Sequence, residues 1–260
     1  MERRKFVATA AAGAAFSTAA QAQDKKPALL ELRFFYLRTG TDNQRQRMTE
    51  WLVTKVLPAA KRNGLETVGF FTASVAADAP FHMMLSSHPS MQAYGAFLEK
   101  MEQDAAFQQE VTKFYSQPAL AYQRQEVRLL QGFKGFPQIE VPPQEAKRGG
   151  RLFEMRIYES NSPVSLAKKV GMFENGEIDV FRKSAMVPVF FGRTLVGPKM
   201  PNLTYMLAFD NMAAREANWR TFATSDEWKK LSATPGLSDA ETVSNISTSF
   251  LSPLNGSPIR

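Results

Sequence analysis

The sequence predicts an α+β fold made of two tandem ferredoxin-like units, each with the element order β-α-β-β-α-β. Apolar residues alternate or recur at helical spacing in that order, and the whole order then occurs a second time. Between the two runs lies a segment with several prolines and charged residues, which is typical of a linker. We therefore expect the units at residues 27–131 and 151–254, joined by a linker at 132–150.

In the first unit, strand-like apolar runs alternate with two helical regions. The predicted strands are residues 29–38, 68–75, 81–87 and 123–130. The first helix follows the capping residues Thr41-Asp42-Asn43 and ends at Gly64, and the second helical region begins near Ser90. A turn at Asp78-Ala79-Pro80 separates the two central strands.

The second unit repeats this order. Its predicted strands are residues 151–158, 186–196, 203–209 and 241–251. Its helical regions are residues 163–183, interrupted near Asn175-Gly176, then 212–222 and 227–232. Three short motifs match in order between the units: Glu31-Leu32-Arg33 with Glu154-Met155-Arg156, Phe70-Phe71 with Phe190-Phe191, and Met84-Leu85 with Met206-Leu207. Because each motif lies on the corresponding predicted strand, we infer a duplicated domain.

Composition limits the chemistry that this chain can perform. It has 260 residues, 44% of them hydrophobic, which is enough for a folded core. With no cysteine, disulfides, thiolate zinc sites, iron–sulfur clusters and cysteine nucleophiles are excluded. Two histidines, His82 and His88, are too few for a multi-histidine metal site. Neither a glycine-rich nucleotide motif nor a nucleophile elbow is present, so we expect no cofactor and no resident metal.

The first 22 residues have the pattern of a signal peptide. A charged start containing Arg3-Arg4 precedes an alanine-rich, weakly apolar run that ends at Ala20-Gln21-Ala22. The paired arginines favour the twin-arginine route over the general secretory route. We therefore expect an exported protein of the bacterial periplasm or exterior, whose formal charge falls from +7 to +5 when three basic residues and one acidic residue are removed.

The remaining positive charge is spread thinly over predicted surface positions, with no basic run interleaved with aromatic residues. It indicates a solvated surface, so no nucleic-acid partner is expected. No segment after residue 22 has about 18 uninterrupted apolar residues, so we expect no stable membrane span. A small-molecule ligand and further copies of the chain are the partners left open.

Specific motifs lie in the second half of the chain: residues 172–178 (MFENGEI), 187–192 (VPVFFG), 202–207 (NLTYML), Trp219 and Glu227-Trp228-Lys229. By these motifs, the chain after residue 22 resembles the NIPSNAP proteins of the dimeric α/β-barrel superfamily. Each half also has the strand pattern Glu-x-Arg-x-aromatic. In the first half Phe35 stands where tyrosine is more typical, and Pro58 interrupts the helix. The resemblance implies two ferredoxin-like sheets that pair as an α/β barrel, and it implies no single settled activity.

Strand parity selects the candidate site residues, because side chains at i and i+2 share a face. We expect the apolar set Phe153, Met155 and Ile157 to face the helices, with the corresponding apolar residues of the first strand doing the same. The opposite set would then line the barrel interior as one charged cluster: Glu31, Arg33 and Phe35 with Glu154, Arg156 and Tyr158. Such pairs could fix strand register only, or they could form a polar floor beneath a ligand cavity.

His82 completes the set of ligand-cavity candidates, because an alignment with Thr204 places it on the cavity-facing parity or next to it. A lone histidine in a strand is more often structural, and we expect His88 in a loop or at a helix entry. The favoured function is the binding of a small molecule in the barrel interior. The alternative is a cofactor-independent oxygenase or isomerase-type enzyme, which rests on fold analogy, and no catalytic residue is assigned. A metal- or haem-dependent enzyme ranks third, because only His82 could be a ligand.

Overall fold

The protein is described by a computed structural model that covers residues 26–144 and 150–260. The predicted signal peptide and residues 145–149 of the predicted linker lie outside these described ranges.

The first half consists of four strands and two helical regions. Its elements are β1 (Leu29–Tyr36), α1 (Gln44–Trp51), a π-helical segment (Leu52–Val56), α2 (Leu57–Arg62), β2 (Val68–Val75), β3 (Phe81–His88), α3 (Met91–Gln103), α4 (Ala105–Tyr115) and β4 (Arg124–Gly132). Pro58 lies at the start of α2, directly after the π-helical segment, where a missing backbone N–H is tolerated. The helix layer over β1 and β3 is therefore continuous from α1 through α2.

The second half repeats these elements. They are β5 (Leu152–Glu159), α5 (Pro163–Met172), a π-helical segment (Phe173–Glu177), α6 (Ile178–Lys183), β6 (Val187–Val196), β7 (Asn202–Phe209), α7 (Met212–Thr224), α8 (Asp226–Ser232), α9 (Asp239–Thr242) and β8 (Asn245–Pro253). Gly176 has a φ of 150°, which confirms the predicted interruption of the helix at this position.

The repeat has a nearly constant period. The interval from Met91 to Met212, at the starts of α3 and α7, is 121 residues, and Phe81 to Asn202 gives the same interval for β3 and β7. Strand register equates Met84 with Tyr205, because these residues lie opposite Arg33 and Arg156. Two of the three motif matches found in the sequence are thus displaced by one residue, and a one-residue displacement in a strand exchanges its faces.

The eight strands form one closed antiparallel barrel in the order β1-β3-β2-β8-β5-β7-β6-β4. Each half supplies four neighbouring strands, and the halves join where β2 pairs with β8 and where β4 pairs with β6. The predicted fold, two ferredoxin-like units that pair as an α/β barrel, is confirmed. Both sheets come from one chain.

The barrel interior is packed with apolar side chains. One buried cluster contains residues of all eight strands and no helix residue, and its members include Leu30, Leu32, Phe34, Phe153 and Met155. The prediction that these residues face the helices is therefore wrong. Both faces of this sheet are buried, and the closed interior, which helix side chains do not reach, takes the apolar set. The polar side chains of β1 and β5 point outward instead, where helix residues can pair with them.

The segment after β8 turns back into the barrel. Ile259 is buried in the interior cluster, and a Cβ added at Gly69 would lie 2.9 Å from its side chain. Ser257 holds the turn: its Oγ accepts from the backbone N–H of Phe70 at 2.9 Å and donates to the carbonyl of Ile259 at 2.8 Å. Position 69 therefore has room only for glycine.

Within the described part of the chain, no helix has the length and apolar character needed to cross a bilayer. Within the predicted linker, Phe133 and Phe136 are buried in the helix-side cluster of the second half.

Candidate functional site

The predicted polar residues lie on the outer face of the barrel, in two separate clusters. Phe35 belongs to the apolar cluster under the helices of the first half, and Tyr158 belongs to the one under the helices of the second half. The proposal of one charged cluster in the barrel interior is therefore wrong. Each Glu–Arg pair is retained within its own strand, and each is covered by its own helix layer.

In the second half, Glu154 is fully buried and held by four hydrogen bonds. Arg156 donates to it at 3.2 Å, and Arg215 donates twice at 2.9 Å in a two-pronged contact. The indole N–H of Trp219 supplies the fourth bond at 2.8 Å. Because all these partners are supplied by the protein, this carboxylate has the character of a structural tie between β5 and α7.

Aromatic rings fill the space around this tie. Neighbouring ring centroids lie 4.8 to 6.1 Å apart, and the rings belong to Phe173, Phe181, Phe191, Tyr205, Trp219 and Phe222. The hydroxyl of Tyr205 donates to that of Tyr158 at 3.0 Å. The outer face of the second half is thus a packed aromatic core.

A buried ion pair lies beside these rings. The Nζ of Lys169 donates to Glu177 at 3.1 Å and to Asp239 at 2.8 Å, and the side chains of Lys169 and Glu177 are 0% and 2% exposed. Burial raises the pKa of Glu177 to about 7, and Lys169 opposes that rise. This ion pair was not predicted from the sequence. The available signal was that Lys169 shares a helical face with Leu166 and Met172, both buried.

In the first half, the equivalent space is open. A cavity of about 400 Å³ lies between the outer face of the sheet and the helix layer. Its apolar lining is Phe35, Trp51, Val56, Ala60, Met84, Phe97, Leu98, Met101, Phe107 and Val111. Its polar lining is Arg33, Glu102, Gln108, Tyr115 and Gln125. Glu102 and Gln125 are exposed, so the cavity reaches the surface at that side.

The difference between the halves follows from side-chain size at equivalent positions. Applying the 121-residue interval, four large rings of the second half are replaced by smaller side chains: Phe181 by Ala60, Tyr205 by Met84, Trp219 by Leu98 and Phe222 by Met101. All four smaller residues line the cavity. The ion pair is replaced as well, because Met48 and Val56 occupy the positions of Lys169 and Glu177.

Arg33 is the cation in the lining of this cavity. Its guanidinium is hydrogen-bonded to a group of buried polar side chains. Its Nε donates to Glu31 at 2.5 Å, and Ser86 donates to the same carboxylate at 3.4 Å. The Nε2 of His88 lies 3.1 Å from the hydroxyl of Ser86 and 3.9 Å from Glu31. Burial lowers the pKa of His88 to about 4, and the nearby Arg33 charge adds to this effect.

The position of His88 corrects the sequence interpretation. It is the last residue of β3, 3% exposed, and its ring packs against Tyr94 and Phe97. The prediction of a loop or helix-entry residue followed from the neighbouring Pro89 and Ser90, which begin the next element only after His88. Both Ser86 and His88 were therefore missed as part of the site.

His82 lies outside the cavity lining. Its Nε2 contacts the hydroxyl of Thr49 and the carbonyl of Arg45, both at 3.0 Å, and burial lowers its pKa. It lies opposite Phe35, so register makes it equivalent to Leu203 and not to Thr204. His82 thus ties β3 to α1. Among residues 26–144 and 150–260, no three acidic or histidine side chains are grouped so that they could hold a metal ion.

The barrel and the helix layers define the class of this protein: it has the fold of the dimeric α/β-barrel proteins, with both sheets in one chain. Residues 153–258, which make up most of the second half of the chain, match the NIPSNAP family model. The resemblance to this family is confirmed. No sequence among the curated proteins matches the chain.

Solved structures share the fold at low sequence identity. A proposed monooxygenase from Fusobacterium nucleatum subsp. nucleatum is 9% identical, with a TM-score of 0.58 over 88% of this chain and 94% of that chain. A second proposed monooxygenase, from Lactobacillus acidophilus NCFM, is 11% identical, with a TM-score of 0.58 over 90% and 100%. An anthrone oxidase-like protein is 13% identical, with a TM-score of 0.54 over 90% and 93%. These likenesses concern the fold.

Proposed function

We propose that the first half binds a small, largely apolar molecule in the cavity between the outer sheet face and its helices. The observation that carries this proposal is the open space of about 400 Å³ at the place where the second half is filled by aromatic rings. Ligand pockets typically have volumes of roughly 300 to 1,000 Å³, apolar walls and a few polar groups. The cavity has all three properties, whereas the barrel interior that the sequence favoured is packed with side chains.

The second half supplies the matched variant for a test. Ala60→Phe introduces the ring that Phe181 provides at the equivalent position, so it should fill the cavity from the helix side. The neutral fluorophore N-phenyl-1-naphthylamine serves as the probe of an apolar cavity. We expect saturable binding to the native protein and a loss of affinity of at least about tenfold in Ala60→Phe, which corresponds to about 1.4 kcal/mol.

Phe181→Ala is the control, because it changes the aromatic core of the second half and leaves the lining of the first intact. Thermal melting verifies that both variants are folded. Equal probe affinity in the native protein and in a folded Ala60→Phe variant would overturn the proposal. Mass spectrometry of small molecules that copurify with each form then identifies natural ligands as those present with the native protein and absent with Ala60→Phe.

We further propose that residues 1–22 direct export by the twin-arginine route, so that the protein functions in the periplasm or outside the cell. The support is the pair Arg3-Arg4, the alanine-rich run and the cleavage pattern at Ala20-Gln21-Ala22. We expect the native protein to begin at Gln23, and the double substitution Arg3→Lys, Arg4→Lys to leave precursor in the cytoplasm. N-terminal sequencing of the purified protein tests this, and a first residue of Met1 would contradict it.

A further inference from the structure

Arg33 reaches the cavity with most of its hydrogen-bonding capacity directed away from its strand neighbour. A guanidinium has five N–H donors, and the Nε donor is the one that bonds Glu31. The side chain is 23% exposed, and the rest of the cavity wall is mainly apolar. In such surroundings, a planar, charged donor favours a ligand oxygen over an apolar group.

The side chains that contact the glutamate of the Glu–Arg pair differ between the halves. In the second half, the helix residues Arg215 and Trp219 hold Glu154. The helix of the first half has Tyr94 and Leu98 at these positions; Tyr94 hydrogen-bonds Arg33, and Leu98 has no donor for Glu31. The strand provides the support instead, because Ser86 and His88 replace Leu207 and Phe209 and lie 3.4 Å and 3.9 Å from the Glu31 carboxylate.

A hydroxyl carries one proton, which fixes the direction of this chain of hydrogen bonds. Since the Glu31 carboxylate that pairs with Arg33 can only accept, Ser86 donates to it, and the Nε2–H of His88 donates to Ser86. The chain therefore runs from His88 through Ser86 and Glu31 to Arg33. It is present in the half that has the cavity, and apolar residues replace its first two members in the half that is filled.

From this arrangement we infer that the cavity takes an apolar ligand with an anionic oxygen group, such as a carboxylate, sulfonate or phenolate, against Arg33, and that His88 is a positioning residue for this recognition. The inference rests on the proposed binding function of the cavity. Glu31 orients the guanidinium of Arg33, and Ser86 and His88 restrict the orientation of the Glu31 carboxylate. Replacing His88 would leave the cavity and Arg33 in place, but the guanidinium would no longer be held in one orientation.

The test compares two probes that differ by one sulfonate, 8-anilinonaphthalene-1-sulfonate and N-phenyl-1-naphthylamine. We expect the native protein to bind the sulfonate probe at least about tenfold more tightly, in the range of one charge-assisted contact. His88→Phe and Ser86→Leu introduce the residues of the second half, and each should reduce this ratio by about fivefold or more. His88→Gln retains a side-chain N–H donor and should restore much of the ratio.

His82→Leu is the matched control, because this second buried histidine of β3 lies outside the cavity and its equivalent is Leu203. It should leave the ratio unchanged. A ratio near one in the native protein, or an unchanged ratio in both His88→Phe and Ser86→Leu, would overturn the inference while the neutral probe still reports a binding cavity. Failure of the native protein to bind the neutral probe would instead overturn the proposed function. If His88→Phe does not fold, Ser86→Leu still tests the positioning role. Arg33→Lys tests the contact with the anion and should lower the ratio, since an ammonium lacks the planar donor geometry; an unchanged ratio in both variants would overturn the inference.

Discussion

Lys169 and Glu177 show how single residues distinguish the two halves. They form a buried ion pair at positions where the first half has Met48 and Val56. Removing one partner of a buried pair leaves the other charge uncompensated, whereas replacing both with apolar residues is often neutral. We therefore expect Glu177→Val to lower the free energy of unfolding by about 3 kcal/mol, since Asp239 still contacts Lys169.

The double variant Lys169→Met, Glu177→Val should recover most of that loss. Denaturant unfolding of both single variants and the double variant at pH 8 closes a double-mutant cycle. A double variant that is less stable than Glu177→Val would show that the apolar pair does not fit in the second half.

Glu177 also makes stability depend on pH. Burial raises its pKa from 4.5 to about 7, so the folded protein retains a proton that the unfolded chain releases above pH 4.5. The contribution to stability is fully present below pH 4.5 and is lost as the pH rises through 7, by on the order of 3 kcal/mol. Comparing Glu177→Gln with the native protein across this window isolates the effect, because the variant should lack this slope.

His88 has the opposite sign in nearly the same window. Burial lowers its pKa from 6.5 to about 4, so its contribution is present above pH 6.5 and is lost as the pH falls through 4. The measured quantity for Glu177 must therefore be the difference between native and variant proteins at each pH. A native protein with the same pH slope as Glu177→Gln would contradict the prediction.

The pairing of each glutamate with the arginine two residues later was predictable, but both pairs were assigned to the wrong face. The alternation in Phe153, Glu154, Met155 and Arg156 shows which residues share a face, and this much is local information. Which face meets the helices and which meets the opposite sheet depends on how completely each layer excludes water and polar partners. That depends on residues far away in the chain, such as Arg215 and Trp219, which pair with Glu154.

At the scale of elements, the segment after β8 contributes to the barrel core. Ile259 fills interior space next to Gly69, where an added Cβ would approach it to 2.9 Å. We expect Ile259→Ala to destabilise the protein by about 3 kcal/mol through the cavity it leaves. Gly69→Ala should cost about 1 to 3 kcal/mol through overpacking.

Together the two substitutions should cost less than the total of their separate effects, because the smaller side chain at 259 makes room for the added methyl group. Thermal and denaturant unfolding of the four proteins measures the coupling. Strict additivity would indicate that the two side chains do not share this space.

Most elements were predictable because apolar periodicity is encoded locally. The order of strands and helices along the chain and the break at Asn175-Gly176 were both predicted from the sequence. The π-helical segments and the strand register were not. Phe70-Phe71 matched Phe190-Phe191 by identity, yet register equates Phe70 with Phe191, since cross-strand pairing decides register and short identical motifs do not.

At the scale of the whole molecule, two strand pairings hold the halves together. The β2–β8 and β4–β6 ladders close the barrel, and the interior cluster contains side chains from both halves. A chain cleaved at an engineered protease site between residues 144 and 150 should therefore remain one particle under native conditions. Gel filtration beside a denaturing gel tests this, and halves that elute separately would show that the peptide connection is required.

The duplication was visible in the sequence, but the cavity was not. Whether the space between the sheet and the helices is open depends on side-chain size at four pairs of equivalent positions. In the sequence, Ala60 or Leu98 alone is an ordinary core residue. Only the comparison of equivalent positions in the two halves shows that each residue lies where the second half has a larger ring.

A barrel built from two identical chains obeys an exact two-fold axis, so every substitution appears on both sides at once. In this chain the axis is only approximate, because residue 60 can change while residue 181 stays a phenylalanine. The cavity on one side lowers the stability of the fold through lost packing contacts. The densely packed opposite side can offset that loss, because both halves belong to the same closed sheet. Covalent linkage of the halves thus permits asymmetry, with a cavity in one half and a packed aromatic core in the other.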